Sequence, residues 1–236
     1  MKVDLHTHTC YSYDTFTPME KTIAAIQQSG IDCVAVTDHN EVAGAFKMQK
    51  IAPFKVIVGE EIRTAEGEII GLFLKEKIPG GLDPRETIRR IKEQGGLVYL
   101  PHPFCWLLNS KLKSPLVWQY VREGLIDIIE VYNASAITLT SFKKVHELLT
   151  GSLAAKAAST DAHIPYEFVG ACVDMDPFDG PKDFLAKIKK ARLIMKPGYL
   201  YATFQIIYNY YIRTKLFKAP HGAELEAELA KKLAAE

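Results

Sequence analysis

Short runs rich in β-branched and aromatic residues recur along this chain, and most are apolar on both faces. A strand can carry that pattern only where both sides of its sheet are covered. The runs fall at Lys2 to His8, Cys33 to His39, Lys55 to Ile62, Glu68 to Leu74, Leu97 to Pro103 and Ile126 to Asn133, with weaker ones at Ala154 to Thr160 and Val169 to Met175. Between several of them lie helices with legible starts. Thr17-Pro18-Met19-Glu20 offers an N-cap, a proline at the first helical position and a carboxylate in the first turn, with Gly30 as the stop. Asp83-Pro84-Arg85-Glu86 repeats the device ahead of Gly95-Gly96, and further helical patterns cover Thr140 to Leu149 and Pro181 to Leu193. Alternating units of this kind predict a parallel α/β architecture. A closed barrel is the natural form at 236 residues, and an open doubly wound sheet fits the same periodicity.

No repeat, low-complexity tract or Pro/Gly-rich linker divides the chain, so one domain is expected over residues 1–200. Residues 201–236 read as a C-terminal helical extension, aromatic-rich from Tyr201 to Phe217 and Ala/Glu/Lys/Leu-rich from Ala223 to Glu236. The extension either packs on the domain or makes an oligomer contact, and the periodicity serves both. Composition, 48% hydrophobic and 24% charged, excludes intrinsic disorder and coiled coil. With 29 Lys+Arg against 28 Asp+Glu, the charge argues against long nucleic acid as a partner and gives no footprint for a membrane surface. No apolar run approaches the roughly 20 residues that span a bilayer. The segment Met1 to His6 lacks the apolar stretch of a secretory signal, so a cytoplasmic location is expected. Cys10, Cys33, Cys105 and Cys172 form no C-x-x-C pair, hence neither a zinc ribbon nor a disulfide framework; Cys10 is the one placed nearest a polar site.

The chemistry gathers where strands end. His6 and His8 are two apart, so an extended backbone presents both imidazoles on one face, where they can share a metal. Val34-Ala35-Val36 breaks abruptly into Thr37-Asp38-His39-Asn40, and other runs end in Gly59-Glu60-Glu61-Ile62, Leu100-Pro101-His102-Pro103, Glu130-Val131-Tyr132-Asn133 and Ser159-Thr160-Asp161-Ala162-His163. Five of the seven histidines thus lie along the first strand or at C-terminal strand ends, each near carboxylates. Imidazoles and carboxylates converging on one barrel face describe a metal site, because such groups are costly to bury unpaired.

The ordered set His6-Thr7-His8, Thr37-Asp38-His39-Asn40, Gly59-Glu60-Glu61-Ile62, His102-Pro103-Phe104 and Thr160-Asp161-Ala162-His163 closely resembles the PHP family, named for polymerase and histidinol phosphatase. The resemblance runs from residue 2 to about residue 175. It implies a distorted (β/α)7 barrel, TIM-barrel-like, of seven parallel strands, with two to three divalent ions (zinc, manganese or iron) at the strand ends. It further implies hydrolysis of a small phosphate ester, of phosphomonoester or nucleotide type, by attack of a metal-bridging hydroxide. Carried over by residue, His6, His8, Glu61 and Asp161 would hold one ion, with Glu61 bridging to a second that His102 also binds. His39 and His163 would hold a third, completed by Asp14, although Tyr11-Ser12-Tyr13-Asp14 carries one inserted residue relative to the common pattern. Glu68 stands where many members have a histidine, as an oxygen ligand for the second ion; without it that site is weakened.

Arg63, Asn40, Glu130 and Asn133 are candidate contacts for a small phosphorylated substrate, and Glu130 and Asn133 have a plain structural or ligand-orienting role as the alternative. Alternation turns Glu60 away from Glu61. Asp38 orients a ligand or caps a loop, Trp106 and Trp118 wall a pocket or fill the core, and His146 and His221 are surface residues. Two other functions compete. An amidohydrolase-like metal hydrolase also begins with H-x-H but usually needs a bridging lysine, and none is apparent. A non-catalytic, metal-stabilised PHP module is the other, and the nearly complete ligand set speaks against it.

Overall fold

The computed structural model describes residues 1–105, 111–135, 141–168, 170–196 and 222–233. Nine strands form one sheet in the order β7-β6-β5-β4-β3-β2-β1-β8-β9. They are β1 (Lys2–Thr7), β2 (Cys33–Val36), β3 (Lys55–Thr64), β4 (Gly67–Leu72), β5 (Leu97–Leu100), β6 (Ile128–Asn133), β7 (Ala155–Ser159), β8 (Ala171–Asp174) and β9 (Arg192–Met195). The helices are α1 (Met19–Ser29), α2 (Ala43–Ile51), α3 (Pro84–Glu93), α4 (Ser114–Arg122), α5 (Phe142–Leu149), α6 (Gly180–Ile188) and α7 (Gly222–Leu233).

The sheet curls into a nearly closed barrel. The chain just after β7 returns to β1, where His8 N–H donates to the Ala162 carbonyl at 2.9 Å and Asp161 N–H to the His6 carbonyl at 2.9 Å. One apolar set fills the barrel interior, including Leu5, Ala35, Ile57, Leu72, Tyr99, Ile128 and Ala157. A second set, including Val34, Val36, Val56, Val58, Ile26 and Met48, lies between the strands and the helices. Strand residues therefore alternate between two dry environments, which accounts for runs that are apolar on both faces.

The barrel is the expected one, but strand direction departs from the seven parallel strands at β8, which pairs antiparallel with β1, and at β4. That strand is antiparallel to both β3 and β5. The cause is the tight turn after Thr64: Gly67 adopts φ +122°, and a side chain there would collide with the backbone of Lys111 and Leu112. The predicted strands at Cys33 to His39 and Leu97 to Pro103 stop early, at Val36 and Leu100, because their polar ends leave the sheet.

Helix α3 starts as predicted, with the Asp83 carboxylate accepting from Arg85 N–H at 2.8 Å and Pro84 in the first turn. In α1 the proline stands one position earlier than expected: Pro18 is the cap, and Gly30 ends the helix at φ 73°. The helix predicted from Pro181 to Leu193 ends at Ile188. Arg192–Met195 instead pairs antiparallel with β8, a non-local gain that overrides helical periodicity. Helices α2 and α4 had no predicted counterpart; neither has a side-chain cap hydrogen bond to announce it. Of the C-terminal extension, α7 is described and sets Leu225 into the outer core, whereas Tyr201 to Phe217 lies outside the described residues.

Candidate metal centre

Segments that follow the parallel strands turn inward at one end of the barrel, and the reversal of β4 brings its first residues to the same end. Glu68 pairs in register with Arg63, two residues beyond Glu61 on β3. Three of these turns hold a non-glycine residue in the left-handed region: Asn40 (φ 50°), His102 (φ 28°) and Asp161 (φ 55°). Such backbone costs of order 1–3 kcal/mol each and persists where surrounding structure imposes it.

Glu61 sits at the centre. Its Oε1 lies 3.1 Å from His102 Nε2, and its Oε2 lies 3.2 Å from His6 Nε2, 3.4 Å from His8 Nε2 and 3.2 Å from His39 Nδ1. Asp161 Oδ1 approaches His6 Nε2 at 3.3 Å and His8 Nε2 at 3.2 Å. Asp14 Oδ2 lies between His39 Nε2 (3.3 Å) and His163 Nε2 (3.2 Å). The two oxygens of Glu68 stand 3.9 Å from His39 Nδ1 and from His102 Nε2. Four donor sets are each close enough to share one ion: His8, Asp14, His39 and His163; His6, His8 and Asp161; His6, Glu61 and His102; and His39, Glu61 and Glu68.

His8 tests the fit most sharply. Both its ring nitrogens are buried without a hydrogen-bond partner, although Nε2 faces two carboxylates. Burial, with the positive charge of His163 and His39, pushes it down to about 4, so it is neutral with a lone pair to give. A buried polar nitrogen left open among carboxylates suits a divalent ion. The other imidazoles shift the opposite way. Burial acts to lower His39, but Glu61 and Asp14 outweigh it and hold it at about 10; Asp14 likewise raises His163 to about 9 against the effect of burial. Burial also opposes ionisation of Glu61, Asp14 and Asp161, yet the histidines hold all three well below the usual carboxylate range. The metal-free centre is thus neutralised by protons on histidines, which ligation must expel. Metal affinity should rise with pH through neutrality. Calorimetric titration with zinc at pH 7.5, in buffers of different ionisation enthalpy, should report release of about three protons, from His6, His39 and His163; a buffer-independent heat would contradict this charge state.

A hydrogen-bonded frame holds the donors. Glu130, fully buried, accepts from His6 Nδ1–H (3.1 Å) and Tyr99 O–H (2.8 Å) through Oε1, and from His102 N–H (2.5 Å) and Asn133 Nδ2–H (3.0 Å) through Oε2. Asn133 also donates to Asp161 Oδ2 at 3.1 Å. Glu130 and Asn133 thereby contact the candidate donors His6, His102 and Asp161, the arrangement of groups that orient metal-binding side chains. Asn40 faces the loops instead, its Oδ1 accepting from Arg63 N–H at 2.9 Å, and the Arg63 side chain is exposed. Glu60 turns away from the centre and accepts from Ile78 N–H at 2.9 Å.

Asp38 caps the loop after β1, accepting from Thr9 N–H and Thr9 O–H, both at 2.6 Å. A Cβ at Gly44 would lie 2.3 Å from Asp38 Oδ2 and 2.5 Å from Thr9 Oγ1. Gly44→Ala should therefore destabilise the fold by about 1–3 kcal/mol, read by thermal denaturation, whereas an unchanged midpoint would show the Asp38–Thr9 pair to be dispensable.

Cys10 is fully buried, and burial pushes its thiol up to about 12, so it is no nucleophile. Trp118 lies against Phe104 at 5.5 Å on the core side, His146 is exposed, and Trp106 and His221 fall outside the described residues. Two buried acids escaped the sequence reading. Asp4 accepts from Thr160 N–H at 3.1 Å, and Glu167 from His163 N–H at 2.5 Å. An acid inside an apolar strand, and a carboxylate four residues after His163, were the available signals.

Fold and donor set together define an α/β barrel whose clustered His, Asp and Glu side chains suit divalent metal ions. The chain matches the PHP domain family model over residues 4–199, and it belongs to that family. Two proteins of Methanocaldococcus jannaschii, both uncharacterized, are similar: MJ1587 at 46% identity over 57% of this chain and 82% of its own length, and MJ0417 at 34% identity over 80% of this chain and 79% of its own. Among solved structures, a two-domain protein of Bacteroides vulgatus, described as containing a predicted PHP-like metal-dependent phosphoesterase, superposes with TM-score 0.64 at 15% identity, covering 89% of this chain and 69% of that one. An amidohydrolase of Chromobacterium violaceum superposes with TM-score 0.55 at 16% identity, covering 75% of this chain and 93% of that one. At these identities the structural likenesses speak for the fold.

Proposed function

We propose that this PHP protein is a metal-dependent phosphoesterase acting on a small phosphate ester, of phosphomonoester or nucleotide type, in the cytoplasm. The observation that carries the reading is the convergence of His6, His8, His39, His102 and His163 on Asp14, Glu61, Glu68 and Asp161, with the buried ring nitrogens of His8 making no hydrogen bond. His6, His8, Glu61 and Asp161 would hold one ion, Glu61, Glu68 and His102 would hold a second, and Asp14, His39 and His163 would hold a third. Bound divalent ions would supply an acidified water and positive charge for the phosphoryl oxygens. The chain's own residues hold and orient: Glu130 fixes Nδ1–H of His6 so that Nε2 faces the centre, and Asn133 steadies Asp161. Every donor but the partly buried His39 is buried, which limits bulk water and strengthens each charge interaction. Arg63, exposed and two residues beyond Glu61, is the cation offered to a substrate phosphate.

Four free cysteines accord with a reducing compartment, and no helix among the described residues is long and apolar enough to cross a membrane. The competing amidohydrolase reading draws on the Chromobacterium violaceum neighbour. One assay separates the two. Protein reconstituted with manganese, zinc or iron(II) should release phosphate from a chromogenic monoester or diester, lose that activity to chelator and regain it with metal, while N-acyl amino acids are untouched. Amide cleavage without phosphate release would reverse the assignment.

A further inference from the structure

Asp14 is the candidate ligand that lies farthest past a strand end, in the irregular segment between β1 and α1. From inside, that loop is tied by Thr9 to Asp38, and by Ser12 O–H to Asp14 Oδ1 at 2.7 Å. From outside it meets α7. Gly222 N–H donates to the Cys10 carbonyl at 2.5 Å, Tyr11 O–H donates to Glu226 Oε2 at 2.8 Å, and Lys47 of α2 pairs with the same oxygen at 2.5 Å. Leu225, beside Glu226, is 7% exposed in the outer core, so the helix is seated by packing as well as by these polar contacts. Residues far apart in sequence, Glu226 and Tyr11, are thereby joined three positions from a candidate metal ligand.

We propose that α7 is a clamp on the ligand loop, and that Glu226 is a positioning residue that sets how firmly the His8, Asp14, His39 and His163 group holds its ion. A ligand on a loop is only as well placed as the contacts that hold the loop, and such supporting contacts typically matter 10–100-fold in metal affinity. Glu226 touches no donor atom of the centre; it acts through Tyr11 and the turn Cys10 to Asp14. The inference rests on reading that donor group as a metal site.

The test uses the full chain loaded with zinc. Glu226→Ala and Tyr11→Phe are dialysed against graded chelator, and retained zinc equivalents are counted by plasma mass spectrometry, with thermal midpoints of the metal-free proteins in parallel. The expected result is that one zinc leaves at about tenfold lower chelator strength in Glu226→Ala, and less markedly in Tyr11→Phe, while the remaining zinc is held as in the wild type. The metal-free midpoints should stay close to wild type, which a merely structural role would not predict. Equal loss of all zinc, or no change in retention, would overturn the clamp while leaving the metal centre standing. If Glu226→Ala does not fold, Tyr11→Phe decides by the same criterion. A wild-type chain that retains no zinc at all would instead remove the metal-site reading on which the clamp depends.

Discussion

Glu61→Gln should cut kcat/KM for phosphate-ester hydrolysis by about three orders of magnitude, the scale seen when a central electrostatic group is removed from an active site. The carboxylate stands within 3.4 Å of four imidazole nitrogens, those of His6, His8, His39 and His102. Glutamine keeps the size and loses the charge. It also presents an N–H where a lone pair is needed, so at least one ion should go with it. Asp161 also faces His6 and His8, and Asp14 faces His39, but neither reaches all four histidines, so neither takes over the role of Glu61. Steady-state kinetics together with metal analysis check the prediction. A folded Glu61→Gln protein with wild-type metal content and rate would show that the bridging position lies elsewhere.

The second large effect is on stability. Ions that bind the folded centre and not the unfolded chain stabilise by about 4 kcal/mol each at a free concentration a thousand times the dissociation constant. For a chain of this size each kcal/mol moves the thermal midpoint by about 2–4 °C, so saturating zinc or manganese should raise it by about 8–16 °C per ion. The sign follows from burial: Asp14, Glu61, Glu68 and Asp161 are all at most 8% exposed, and without cations they rely on protonated histidines. Differential scanning fluorimetry with and without chelator measures the shift. Identical midpoints would mean that the donors are satisfied without metal.

How much of this was legible in the sequence depends on how local each interaction is. His39, His102 and Asp161 announce themselves because a dry strand breaks abruptly into polar residues, and strand ends on one barrel face must meet. Glu61 over Glu60 follows from alternation alone, as the Ile78 contact of Glu60 bears out. The framing role of Glu130 was only one of the alternatives its strand end left open, since its partners Tyr99 and His6 arrive from other strands. The reversal of β4 and the pairing of Arg192–Met195 with β8 are likewise non-local, set by what each segment finds beside it and not by its own periodicity. The bond from Arg63 N–H to Asn40 Oδ1 was not legible either, because it joins a turn to a strand, and the two meet only in the fold.

The central claim is that these side chains form one polynuclear metal centre. The most direct measurement is the number of divalent ions held per chain, determined by plasma mass spectrometry after reconstitution with zinc or manganese and exhaustive dialysis. Two to three ions in the wild type, and fewer in His8→Ala, are predicted, since His8 belongs to two of the donor sets. Less than one ion in the wild type, or an undiminished count in His8→Ala, would contradict it.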